Sequence, residues 1–167
     1  MWLWQAYAGQ RYYAMELAEQ FIEERHPKID EERRERLVDT ILCAGLHLAD
    51  CGAPGAWQTF QPGSFLDKMP FEDDEDRLEV CTDMAHLFRW MGTEQLIAPR
   101  RAARVLMGLR LAGPEDPAFI TYCEDGIEKL ARRTRTRRRP RRYRRATGSP
   151  SGRSSSNPFV PHAKPMG

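Results

Sequence analysis

The sequence predicts an all-α body of about five helices in an irregular bundle, followed by an arginine-rich arm and a disordered tail. Three observations predict it. Apolar residues before residue 132 recur at three- and four-residue intervals, and no alternating run marks a strand. Proline and glycine fall between these stretches and punctuate them. Charge is segregated along the chain. Ten arginines occupy the fourteen positions 132–145, and no acidic residue follows Ala131. Of the 26 basic residues, 12 lie beyond Ala131, which leaves 14 against all 24 acidic ones. The formal net charge of +2 therefore conceals a body near −10 and a tail near +12. Three regions follow: an acidic helical domain (1–131), a basic arm (132–145) and a Ser/Pro/Gly-rich tail (146–167).

The first helix is expected over residues 5–26, with Ala14, Leu17, Ala18, Phe21 and Ile22 on one stripe. Pro27 ends it, because its ring and missing N–H cannot continue the ladder. Asp30 suits the N-cap of a second helix running to Asp50. There Leu37, Val38, Ile41, Leu42, Gly45, Leu48 and Ala49 share a face. Residues 52–71 read as a long connection. Their aromatics, Trp57, Phe60, Phe65 and Phe71, predict that it packs over the core. The acidic run Glu72–Asp76 opens a third helix, where carboxylates meet the positive end of the helix dipole. It carries Leu78, Cys81, Met84, Phe88 and Met91 inward and stops near Gly92. Pro99 opens a fourth helix through about Leu111, with Ala102, Val105, Leu106 and Leu109 inside and Arg100, Arg101, Arg104 and Arg110 outside. A fifth helix from about Asp116 to Arg133 uses Phe119, Ile120, Cys123, Ile127 and Leu130. Disorder is expected from about Thr134, since the remaining residues cannot bury enough surface to offset chain entropy. Trp57 and Trp90 read as core anchors. Trp2, Trp4, Tyr7, Tyr12 and Tyr13 are expected to pack the first helix, with a partner or self-association surface as the alternative.

The arm carries the functional expectation. Its candidate residues are Arg132, Arg133, Arg135, Arg137, Arg138, Arg139, Arg141, Arg142, Tyr143, Arg144 and Arg145. A guanidinium offers five donors in a plane that matches phosphate oxygens, and it stacks on bases. At this charge density the arm displaces condensed counterions from a nucleic acid. Tyr143 adds a stacking face for an unpaired base. Arginine excludes lysine throughout the run, which favours RNA. The body's Asp125 and Glu128, close to the arm's root, are expected to compete with a polyanion for the first arginines. The same run fits a nuclear import signal read by an acidic groove of a carrier.

Metal and catalytic patterns are thin. Cys43, His47 and Cys51 fall at i, i+4 and i+8, a spacing that can present soft ligands to zinc. Helical projection sets Cys43 and His47 opposite the Leu37/Ile41/Leu48 face, and no Cys-x-x-Cys knuckle accompanies them. Glu23 with His26, and Asp83 with His86, resemble in spacing the Glu-x-x-His pairs of di-iron helical bundles. In that family the pairs point into the bundle core. Here projection turns both away from the apolar stripes. No phosphate loop or nucleophile elbow is present in the sequence. We therefore expect no metal and no cofactor.

Together these readings predict a non-enzymatic accessory protein that binds nucleic acid, RNA favoured, through its arm. The helical body would bind a protein partner or a second copy. The rival expectation is a protein-interaction adaptor whose arm is only a nuclear localisation signal. Small viral regulatory proteins share this layout by analogy. The expected place is the nucleus for a eukaryotic or viral-host source, and otherwise the cytoplasm. No secretory signal or transmembrane segment is legible, and the four cysteines are expected as free thiols.

Overall fold

A computed structural model describes residues 2–137, with the side chains of 2–7, 10, 136 and 137 excepted. Among the described residues the chain is all-helical: α1 (Trp2–Arg25), α2 (Glu31–Asp50), α3 (Pro62–Lys68), α4 (Asp74–Thr93), α5 (Pro99–Ala112) and α6 (Pro117–Arg137). A short 3-10 turn at Trp57–Thr59 precedes α3. Five helices are the expected ones. The additional α3 lies within the connection read as a loop, and it starts on Pro62, whose fixed φ suits a first turn.

Local signals set the helix ends. Asp30 caps α2 by accepting from Arg33 N at 2.9 Å, and Asp73 caps α4 by accepting from Asp76 N at 2.8 Å. Asp116 does the same for α6, accepting from Phe119 N at 2.9 Å. Each cap satisfies a backbone donor that has no intrahelical partner.

α4 is the central element. It packs against α2, α5 and α6, and α1 lies on α2. Val80, Cys81, Asp83, Met84, Ala85, Leu87, Phe88, Trp90, Met91 and Gly92 of α4 are all buried, around most of the helix circumference. Thr82, His86, Arg89 and Thr93 share the remaining, partly exposed face, so the buried surface is much wider than a single apolar stripe. Close approach around it depends on Gly92. A Cβ there would meet Ala102 Cβ at 2.6 Å and Leu130 Cδ2 at 2.9 Å. The expected core holds well: Phe21, Leu37, Ile41, Phe88, Leu106, Leu109 and Leu130 are buried, and Trp57 packs on the cluster from its edge.

Two expectations change. Tyr12 and Tyr13 do not pack the core; they are 62% and 63% exposed on α1. Helix α6 runs to Arg137 and does not end near Arg133, so the first arginines stand on a folded helix. Arg138 to Arg145 and the tail lie outside the described residues.

Candidate nucleic-acid interface

Arg132, Arg133 and Arg135 project from the last turns of α6, all exposed. The turns are rooted by Leu130, 1% exposed, and by Thr134 Oγ1, which donates to Leu130 O at 3.2 Å. Arg132 is paired with Glu128 one turn earlier. Arg133 reaches across to α4 and donates from Nη1 to Thr93 O at 2.6 Å. Asp125, by contrast, holds Arg89 at 2.8 Å and Lys129 at 3.0 Å, and both contacts hold its carboxyl below the ordinary range. Arg137 continues the helix. The other arm candidates, Arg138, Arg139, Arg141, Arg142, Tyr143, Arg144 and Arg145, lie outside the described residues.

Beside this root is a cleft of about 570 Å³ between the end of α1, α4 and α6. Five cations line it: Arg25, Arg89, Lys129, Arg132 and Arg133. Its wall is aromatic, formed by Phe21, His26, His86, Trp90 and Tyr122. No carboxylate lines it; Glu94, Asp125 and Glu128 pair with its cations from outside. These pairs are largely exposed, and such pairs contribute only about 0–1 kcal/mol each. A phosphate exchanging for one of those carboxylates gives up little.

The rings form a ladder across three helices. Phe21 meets His26 edge-on at 5.2 Å between centroids. His26 stacks on His86 at 5.9 Å with planes 2° apart, and His86 meets Tyr122 at 4.4 Å. Arg89 then lies over the Tyr122 ring at 4.6 Å. Burial, followed by His26, Arg89 and Arg33, pushes His86 down to about 4. His26 is lowered too, by burial and then by Arg33 and Arg25. Both shifts favour the uncharged ring. Trp90 is fixed from behind, donating from Nε1 to Glu24 at 2.8 Å.

Asp83 and His86 do not turn away from the interior. Asp83 is 5% exposed and bonds to Arg33, which also holds Glu79 at 3.1 Å. Burial pushes its carboxyl up, with Arg33 pulling against it. The two histidines of the paired motifs therefore do meet, while Glu23 stays exposed. Among the described residues no group of three or more His, Cys, Asp or Glu is placed to hold a metal ion. Of the zinc-spaced set, Cys43 and Cys51 are exposed free thiols. His47 is buried beneath Phe60 and Phe65, at 6.0 and 5.6 Å between centroids, so the connecting segment covers it. Cys51 Sγ lies 3.6 Å from His47 Nε2, and Cys43 does not join them. Among the described residues no helix is long and apolar enough to cross a membrane.

Sequence reasoning finds Arg132 and Arg133 but misses Arg25, Arg89, Lys129 and Tyr122, which converge only in the fold. The one legible signal is the His26 and His86 pair of motifs. Comparison with protein-family models, curated proteins and solved structures finds no match for this chain.

Proposed function

We propose that this protein is a non-enzymatic nucleic-acid binder, with RNA the favoured ligand, whose arginine arm supplies the affinity. The observation that carries this reading is the run of ten arginines in fourteen positions with no carboxylate after it. Each phosphate neutralised by such a run releases a condensed counterion, and the entropy gained drives binding. The cationic cleft at the arm's root supports the reading, because it extends the same sign of charge onto the folded body. Substitution tests this better than truncation, since Arg132 to Arg137 belong to α6. In a mobility-shift assay the full-length protein shifts a generic RNA probe. The variant with all ten arginines changed to glutamine, a good helix former, leaves it unshifted. An equal shift by the variant rejects the proposal.

The second reading is a protein-interaction adaptor whose arm is an import signal. Tyr12 and Tyr13, exposed side by side on α1, favour it, because tyrosine is enriched in interfaces. Light scattering of the purified protein with and without nuclease separates the two. Mass that falls after nuclease supports the binder. Mass that persists supports a protein partner or self-association.

A further inference from the structure

We infer that the cleft between α1, α4 and α6 is a binding site for one unpaired nucleotide, its phosphate on the cationic rim and its base against the aromatic wall. The inference rests on the proposed nucleic-acid binding and deepens it: the body selects single strands, and the arm holds any nucleic acid. Four observations converge. The cleft's volume of about 570 Å³ lies within the ~300–1,000 Å³ of small-ligand sites, most of which combine apolar walls with a few placed polar groups. Its rim has Arg25, Arg89, Lys129, Arg132 and Arg133, whose partner carboxylates Glu94, Asp125 and Glu128 lie outside the lining. Its wall has the parallel His26 and His86 rings and Tyr122, all partly exposed and therefore reachable. Its edge is the arm itself, through Arg132 and Arg133, so a strand held by the arm passes the mouth of the cleft.

The chemistry selects against a duplex. A paired base keeps its faces inside the stack and cannot enter a walled cleft. An unpaired base swings out, and any base has a π-face for the imidazoles and the phenol ring. Arg89 over Tyr122 makes that ring part of a cation–π pair and fixes its plane. The side chains of Arg25 and Lys129 are 48% and 62% exposed, and they pair with Glu94, at 3.9 Å, and Asp125, at 3.0 Å. They are the rim cations that can be altered without touching the core.

Fluorescence anisotropy of the full-length protein tests this with two labelled probes, a single-stranded RNA 12-mer of mixed sequence and its blunt duplex. The wild type is expected to bind the single strand about tenfold tighter than the duplex. The variant Arg25→Gln/Lys129→Gln should lose most of that preference while duplex affinity changes by less than about threefold, because the arm is intact. Arg104→Gln, which removes an exposed cation of α5 that does not line the cleft, should behave as wild type. The inference is overturned if wild type and the double variant bind the single strand equally. It is also overturned if the wild type shows no strand preference. In both cases duplex binding through the arm leaves the proposed function standing. Binding of neither probe by the wild type overturns both.

Discussion

His86 ties packing to pH. Its imidazole is held neutral, down to about 4 against an ordinary value of 6.5, first by burial and then by His26, Arg89 and Arg33. A folded value below the unfolded one means that the native state prefers the uncharged ring. The resulting stability is complete above pH 6.5 and is lost as pH falls toward 4. Discounted for the ring's partial exposure, the imidazole's contribution should fall by about 2 kcal/mol between pH 7 and pH 4, read as the difference between wild type and His86→Gln in urea titrations. Asp83, raised by burial, acts with the opposite sign in both wild type and His86→Gln. The comparison of those two therefore isolates the imidazole, and His86→Gln should show the smaller loss. A second sensitive position is Gly92. An alanine there presses Ala102 Cβ, a group fixed to the backbone of α5. Gly92→Ala should cost about 1–3 kcal/mol despite alanine's better helix propensity, lowering the thermal midpoint by several degrees.

The helices show where sequence patterns carry and where they fail. α2 was legible because all its signals are local: Asp30 at the cap, glutamates in the first turn, and one apolar face from Leu37 to Leu48. α5 was legible for the same reason, with Pro99 at its start and arginines outside. α4 was legible as a helix but not as the centre of the bundle. Its buried Asp83 looks like a surface residue until Arg33 arrives from α2, fifty positions away in the chain. α3 hid behind Pro62 and Gly63, residues that ordinarily mark a loop; it packs on α5 and sets Phe65 against Phe60 and against His47 of α2. The cleft was not legible, because its walls come from three helices and no spacing rule links Arg25, Arg89 and Tyr122. The end of α6 adds a prediction. Glu128 holds Arg132 along the helix surface. Glu128→Gln removes a negative charge at the arm's root and should raise RNA affinity about two- to threefold at constant salt, as anisotropy would register.

The molecule as a whole is a dipole of sequence, an acidic body joined to a cationic extension. Body and ligand repel each other at long range, and the arm must overcome that repulsion. Salt screens both terms, with a Debye length of about 8 Å at physiological ionic strength. Counterion release nonetheless dominates, because it scales with the number of phosphates neutralised. On the proposed function, cleft and arm would divide the work: the arm would supply affinity with no base code, and the cleft a preference for single strands. The most direct measurement is the dependence of RNA affinity on salt for the full-length protein and for the variant with arginines 132–145 changed to glutamine. At ~0.7 per phosphate, an arm engaging about seven or more phosphates predicts a log–log slope of about −5 or steeper for the wild type. The variant should fall to a slope near −2, set by the cations that remain on the body. Equal slopes for the two proteins would contradict the account.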